Sequence, residues 1–372
     1  MIRVPFNCLT RDEDIELSEI NTAIQEVISS GLLIQGPHHK AFEEDFAGFT
    51  EAKYAIGVAS GTDALILGLH SVGVGKGCEV VCTANAGGYT SLAARSLGAI
   101  PKYCDVDVKT GLITAELLDQ VITPQTSAVV VTHLFGNVAE LDKIVNLCNR
   151  YNIALLEDCA QASGARYLGK HVGTFGSIGI FSFYPSKNLG AIGDGGMLIT
   201  NDEFLAKKLI SLRQYGWSSK YNISMSGGMN SRLDELQAAI LRVKLRSLDS
   251  KNSKRLQIIG LYKEAFKPLG LRLLTSDKLG NVAHLAVLLL PKDIDRDRFR
   301  NSMKNLGVDT DVHYPLLDNE QIGLTMGGFP SEIPNSRDLV SKIVSIPIFP
   351  QMTKNEIFAV IEAVITSVNK NE

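Results

Sequence analysis

From Tyr54 onward the chain alternates short, continuously apolar runs with stretches of helical periodicity, and few folds accommodate that alternation. Residues 54–58, 79–83, 101–105, 127–133 and 153–157 read as strands. Helical patterns over 62–72, near 89–97 and over 139–150 lie between most of them. Strands that are apolar along their whole length are buried on both faces, and strands joined through helices pair in parallel. The spacing therefore predicts an α/β fold with a mainly parallel central sheet flanked by helices. Residues 177–183 and 196–200 add two strands with no helix between them, which predicts a local antiparallel pairing in a mixed sheet.

After about residue 230 the texture changes. A helical pattern over 233–248, with Asn230 or Ser231 expected to cap it, leads to a second over 256–266. A strand at 283–290, a helix over 295–306 and a last helix over 353–368 follow. This order predicts a large domain over 36–249 and a smaller C-terminal α+β domain over 250–372. The N-terminal segment, 1–35, is expected to pack near the small domain or against a partner subunit.

The net charge of −3, without long blocks of one sign, gives no footprint for nucleic acid. No run of about 18 apolar residues predicts a membrane span, and the acidic N-terminus lacks a signal core. The six cysteines form no Cys-x-x-Cys pair and several lie in apolar runs, the pattern of reduced, buried thiols. His38-His39 has no partner ligands at metal-site spacing, so no metal is expected. These features predict a soluble cytoplasmic protein. Gly73-Val-Gly-Lys-Gly77 superficially resembles a phosphate loop, but His70 and Gly77 occupy the positions where that motif needs Gly and Ser or Thr.

Three strand ends carry chemistry. Ser60-Gly61-Thr62 follows the first strand and opens a helix, where free N–H groups and the helix dipole attract an anion. Asp158 closes an apolar strand, at the edge where open α/β sheets bind ligands, and can hold a cationic ring nitrogen. Lys187 stands in a polar turn delivered by the apolar run 178–183 and followed by Gly190, Gly193, Gly195 and Gly196. A buried lysine loses hydration, its ammonium form is disfavoured, and the neutral amine becomes a Schiff-base nucleophile or general base. Together the three call for a ligand with a phosphate, a basic ring nitrogen and an aldehyde. Pyridoxal 5'-phosphate has all three.

On these residues the chain resembles the DegT/DnrJ/EryC1/StrS sugar aminotransferases, pyridoxal-phosphate enzymes of fold type I. The resemblance runs from Ser30-Gly-Leu-Leu-Ile-Gln-Gly-Pro37 and Phe42-Glu43 through Ser60-Gly-Thr-Asp-Ala-Leu65 and Glu157-Asp-Cys-Ala-Gln161. It continues in Phe181-Ser-Phe-Tyr-Pro-Ser-Lys-Asn-Leu-Gly190, Gly193-Asp-Gly-Gly196 and Gly228-Met-Asn-Ser-Arg-Leu-Asp-Glu-Leu-Gln-Ala-Ala239. It ends with His313-Tyr-Pro315 and Ile346-Pro-Ile-Phe-Pro350. The resemblance implies Lys187 as the Schiff-base lysine, Asp158 on the ring nitrogen and Gln161 on the ring hydroxyl. It implies Gly61, Thr62 and Ser182 on the phosphate, with Asn230 reaching the phosphate of a neighbouring subunit in a homodimer. Tyr89 falls where the family stacks a ring on the cofactor.

The same resemblance implies a transaminase that takes an amino group from L-glutamate, passes through pyridoxamine phosphate, and aminates a nucleotide-linked keto-deoxysugar in deoxyaminosugar biosynthesis. Asn85-Ala-Gly-Gly-Tyr-Thr90 looks like the variant found in enzymes acting on dTDP-3-keto-6-deoxyhexoses, which favours amination at C3 over C4. Lys220, Tyr221, His313 and Tyr314 match segments that line the sugar-nucleotide pocket. After His313-Tyr-Pro the chain departs from the family pattern and reads Leu316-Leu-Asp-Asn-Glu-Gln321. The competing readings are amination at C4, a dehydratase or lyase on the same fold, and a non-enzymatic regulator. Relatives that act as dehydratases replace the lysine with histidine, and this chain keeps it.

Overall fold

The computed structural model describes residues 2–11, 14–276, 279–325 and 332–369. The chain opens with helices α1 (Asp14–Ser30) and α2 (Pro37–Thr50), then β1 (Tyr54–Val58) and α3 (Gly61–Ser71). Next come β2 (Glu79–Thr83), α4 (Tyr89–Ser96), β3 (Ile100–Cys104), α5 (Ala115–Asp119), β4 (Thr126–Thr132), α6 (Leu141–Tyr151) and β5 (Ala154–Asp158). A small hairpin of β6 (Arg166–Tyr167) and β7 (Lys170–His171) precedes β8 (Ile178–Ser182), β9 (Gly196–Thr200) and α7 (Glu203–Leu212). A ribbon of β10 (Trp217–Ser219) and β11 (Asn222–Ile223) leads to α8 (Glu235–Leu245) and α9 (Leu248–Phe266). The remainder is β12 (Arg272–Leu273), β13 (Ala286–Leu289), α10 (Arg296–Asn305), α11 (Ile322–Thr325), α12 (Pro334–Lys342), β14 (Ile343–Ile346) and α13 (Lys354–Asn369). Among the described residues no helix is long and apolar enough to cross a membrane.

The seven-stranded sheet has the order β1-β9-β8-β5-β4-β2-β3. Every neighbouring pair from β8 to β3 is parallel, while β9 opposes both β8 and β1. The antiparallel pairing expected of 177–183 and 196–200 is therefore present, and β9 is the one reversed strand. Every residue of β2, β8 and β9 is buried, which explains their uninterrupted apolar runs. Alternate side chains serve opposite layers. Phe181 meets Phe46 edge-on at 5.0 Å under α2 and α8, whereas Ile178 and Ile180 join Leu65, Leu67 and Leu209 under α3 and α7.

Past residue 270, β12, β13 and β14 form a three-stranded antiparallel sheet. Leu288, Val344 and Ile346 pack there with Tyr262 and Phe266 of α9, Phe299 of α10 and Val360 of α13. Helix α9 crosses the residue-250 boundary expected from sequence. The N-terminal segment divides its contacts. Val4 pairs with Val308 beside the small sheet, while Ile20, Ala23 and Val27 of α1 pack on Ala239, Ile240 and Val243 of α8.

One local expectation needs correction. The pattern over 233–248 is interrupted: α8 ends at Leu245, and α9 restarts at Leu248. Neither Asn230 nor Ser231 caps it, because Asp234 occupies the N-cap position. Ser231 is buried and engaged elsewhere, donating to Asp63 Oδ2 at 2.7 Å and accepting from the Ala59 N–H at 3.1 Å. Tertiary contacts outcompeted the local cap, a common outcome for serine near a helix start.

Candidate active site

The carboxyl ends of β1, β5 and β8 meet the start of β9 along one edge, because Val58 and Ser182 both pair with Gly196. Sequence-distant polar residues converge on that edge. Ser60 caps α3 by accepting the Asp63 N–H at 3.1 Å. The N–H groups of Gly61 and Thr62 have no acceptor among the described residues, as the first turn of a helix dictates. A Cβ on Gly61 would lie 2.7 Å from Ser182 Cβ, and one on Gly196 would lie 2.4 Å from the Ser60 carbonyl oxygen. Both glycines are therefore fixed by close backbone approach. They bring the helix start and the Ser182 hydroxyl side by side, a cradle suited to an anion.

Asp158 is buried at the end of β5. Its oxygens accept the Ala160 N–H at 3.1 Å and the Thr132 hydroxyl at 3.4 Å, and among the described residues it forms no ion pair. Burial raises its pKa, against the lowering effects of the Ala160 N–H, Lys187, His133 and Thr132. A cation placed against this carboxylate would relieve that cost.

Lys187 sits in the turn between β8 and β9, tied by its N–H to the Tyr184 carbonyl at 2.8 Å. A Cβ on Gly190 would approach the Pro185 carbonyl oxygen to 2.3 Å, so the turn can close only with glycine there. Burial lowers the Lys187 pKa and Asp158 opposes that shift. The lysine lines a cavity of about 210 Å³ together with Tyr89, Gln161, His313 and Tyr314.

Gln161 is held from both sides. Its Oε1 accepts the Phe135 N–H at 2.6 Å, and its Nε2 donates to the Tyr314 hydroxyl at 3.1 Å. Tyr89 starts α4 and meets the Tyr314 ring edge-on, with centroids 6.2 Å apart. Gly87, at φ +84°, is wedged against both rings: a Cβ there would come within 2.9 Å of Tyr314. His313 binds Ser345 through Nδ1 at 2.9 Å and stacks on Phe6 at 5.5 Å. Burial lowers its pKa, with Asp311 opposing.

The structure thus gathers Lys187, Tyr89, Gln161, His313 and Tyr314 on one cavity wall, with Gly61, Thr62, Ser182 and Asp158 at neighbouring strand ends. It leaves three expected residues away from both the wall and those strand ends. Asn230 is exposed in an isolated bridge with Gln214. Lys220 and Tyr221 are exposed at the turn of the β10–β11 ribbon, where the ammonium lies 5.1 Å from the tyrosine ring centre. Two wall residues carried no signal in the sequence: Arg255 of α9 and His284, both buried polar residues within apolar or helical runs. Deeper in the sheet, the ligand-type atoms of His133, Glu157 and Cys159 lie within 4.8 Å of one another, but Glu157 is already engaged. It accepts the Gly173, Phe175 and Gly176 N–H groups at 2.7–2.8 Å.

The sequence profile of the DegT/DnrJ/EryC1/StrS aminotransferase family matches residues 14–365. The chain belongs to this family. Among DegT/DnrJ/EryC1/StrS relatives, it is 39% identical to a dTDP-3-amino-3,6-dideoxy-alpha-D-galactopyranose transaminase of Aneurinibacillus thermoaerophilus, over 97% of this chain and 98% of that one. It is 37% identical to a dTDP-3-amino-3,4,6-trideoxy-alpha-D-glucose transaminase of Streptomyces venezuelae, over 97% and 95%. It is 38% identical to the erythromycin biosynthesis sensory transduction protein EryC1 of Saccharopolyspora erythraea, over 91% and 92%. The crystal structure of S. venezuelae DesV superimposes with a TM-score of 0.94 at 35% identity, covering 99% of both chains. Family membership makes the chain a pyridoxal-phosphate-dependent aminotransferase of fold type I. The site fits that cofactor on its own terms: a glycine-lined cradle, a buried carboxylate with no ion-pair partner among the described residues, and a lysine of lowered pKa.

Proposed function

We propose that the enzyme moves the amino group of L-glutamate to a nucleotide-linked keto-deoxysugar, with a dTDP-3-keto-6-deoxyhexose as acceptor and C3 as the carbon aminated, in deoxyaminosugar biosynthesis. The observation that carries this reading is the agreement among relatives. Three are named for dTDP-3-amino sugars, and two more for amination at position 3 of UDP-linked sugars at 35% and 34% identity. The Asn85-Ala-Gly-Gly-Tyr-Thr90 loop, which carries Tyr89 onto the cavity wall, supports it.

When bound, pyridoxal phosphate supplies the aldehyde that takes up the amino group and a cationic ring that accepts the electron pair left on the donor carbon. Lys187, its ammonium form disfavoured by burial, is the amine that would hold that aldehyde, and its Nζ would move a proton at the donor carbon. Asp158 would hold the ring nitrogen as a cation, and the Gly61 and Thr62 N–H groups with Ser182 would hold the phosphate. Gln161, fixed by Phe135 and Tyr314, would meet the ring hydroxyl, and Tyr89 would cover the ring face. Asn230, exposed on this subunit, completes the cradle of a homodimeric partner. His313 and Tyr314, on the cavity wall, face the acceptor.

A non-catalytic role has one point in its favour: two relatives carry regulatory names, EryC1 and a pleiotropic regulatory protein of Geobacillus stearothermophilus. The retained Lys187 and Asp158 favour turnover. Incubation with a panel of dTDP- and UDP-linked 3-keto and 4-keto sugars plus L-glutamate, with NMR of the product, decides the matter. Amination of a dTDP-3-keto sugar at C3 is the expected result, and exclusive amination of a 4-keto sugar overturns it.

A further inference from the structure

The segment that departs from the family pattern, residues 316–321, ties two parts of the cavity wall together. Just before it, His313 and Tyr314 line the cavity. Within and after it, Asp318, Gln321 and Leu324 lie against the stretch that carries Tyr89.

Tyr89 reaches the wall from a pliable start to its helix. Gly87 and Gly88 both have positive φ, +84° and +85°. Gly88 is the N-cap residue of α4, so no side chain within the helix caps it. Glycine leaves the backbone more freedom than any other residue. The direction of the Tyr89 ring is therefore set from outside α4.

Asp318 supplies that constraint at three points. Its N–H donates to the Ala84 carbonyl at 2.8 Å, ahead of the two glycines. Its Oδ2 accepts the Ser91 hydroxyl at 2.6 Å, in the first turn of α4. Its Oδ1 faces Gly88, where a Cβ would lie 3.9 Å from it and 2.9 Å from Leu324. Asp318 is 1% exposed, and Oδ1 has no hydrogen-bond partner among the described residues. Its neighbour Leu317 packs with Ile333 and Val340, so a hydrocarbon side chain would serve burial alone. A carboxyl group instead offers oriented acceptors to a helix start. Asp318 is absent from the cavity wall, so any effect on the site passes through Tyr89 and its neighbours.

We infer that Asp318 is a positioning residue of the active site: by bonding Ser91 and closing on Gly88 it fixes the start of α4, and so holds the Tyr89 ring edge-on to Tyr314. The two ring centroids are 6.2 Å apart, and the Tyr314 hydroxyl in turn accepts from Gln161 at 3.1 Å. Asp318 thus sets one end of a chain that runs through Tyr89 and Tyr314 to Gln161. This rests on the aminotransferase reading above, in which Tyr89 would cover the cofactor ring, and adds the residue that places it.

The test is a double-mutant cycle of Asp318→Ala and Tyr89→Ala, read by titrating each apoenzyme with pyridoxal phosphate. Misplacing one aromatic contact predicts that Asp318→Ala weakens the cofactor about 3- to 10-fold. Asp318→Asn, which keeps an acceptor for Ser91, should recover most of that loss. In the Tyr89→Ala background, Asp318→Ala should change affinity less than about 2-fold, because the ring it places is gone. Hydrogen exchange of the apo-protein reads the placement without cofactor. Amides of residues 84–96 should exchange several-fold faster in Asp318→Ala, while β4 and β5 keep their protection. Where Tyr89→Ala alone weakens the cofactor, an equal cost of Asp318→Ala in both backgrounds, or none in either, overturns the inference. Where Tyr89→Ala alone changes nothing, the covering role of Tyr89 fails by itself and exchange decides. Faster exchange confined to 84–96 then sustains the positioning role, and unchanged exchange there overturns it.

Discussion

Asp318 offers a prediction that can be worked through from structure to pH profile. It lies in the segment that departs from the family pattern, buried under α4, with its N–H on the Ala84 carbonyl at 2.8 Å. Oδ2 accepts the Ser91 hydroxyl at 2.6 Å, while Oδ1 has no hydrogen bond and the Gly88 N–H only approaches it. No cation pairs with it among the described residues. Burial pushes its pKa up to about 7, against the weaker pull of Ser91 and Gly88. The folded state therefore holds this proton more tightly than the unfolded chain. Between the ordinary carboxylate range, near pH ~4, and pH ~7 the folded state binds more protons, so stability falls as pH rises and the penalty is complete above pH ~7. The penalty is roughly 4 kcal/mol as an upper bound, from the displacement of the pKa alone. Asp318→Asn keeps an acceptor for Ser91 and removes the titration. Melting temperatures of wild type and Asp318→Asn, measured in parallel from pH ~5 to ~8, should diverge in favour of the variant as pH rises. A constant difference across that range would refute the reasoning, because the other titrating groups cancel in the comparison.

Three further outcomes follow from the geometry. Gly61→Ala forces a Cβ to within 2.7 Å of Ser182 and should weaken cofactor binding by about 10- to 100-fold in titration of the apoenzyme, the effect of roughly 1–3 kcal/mol of overpacking. Glu235 accepts the N–H groups of Gly36, His38 and His39 at the start of α2, so Glu235→Ala should lower stability by roughly 3 kcal/mol in a thermal melt, and Glu235→Gln by less. If Asn230 serves the neighbouring subunit, inactive Asn230→Ala and Lys187→Ala proteins should regain activity when unfolded together and re-paired. Failure of soluble mixed dimers to recover would count against a shared site.

The sheet and the gathering of the candidate site residues were legible because burial on both faces leaves a largely apolar run, and these runs end near the polar residues of the candidate site. Glu79–Thr83 and Gly196–Thr200 kept their expected bounds, and Asp158 and the Ser60-Gly61-Thr62 turn sit at the predicted strand ends. The break between α8 and α9 was not legible, since Arg246-Ser247 contains neither glycine nor proline. Ser231 looked like a cap because its local sequence permits one; its partner Asp63 lies far back in the chain. Arg255 reads as one more basic residue on a helix. Its burial arises only when segments around 284, 313 and 348 close over it. Asp318 likewise acquires its unusual proton affinity from tertiary burial, which the surrounding Leu317 and Asn319 do not announce.

Lys187 as the amine that holds and works the cofactor is the central claim, and one spectrum tests it directly. Purified wild-type protein reconstituted with pyridoxal phosphate should show a visible band that L-glutamate bleaches, and Lys187→Ala, folded and loaded in the same way, should show no lysine-bound band and no bleaching through one. A Lys187→Ala protein with an unchanged spectrum and unchanged response to L-glutamate would contradict the account.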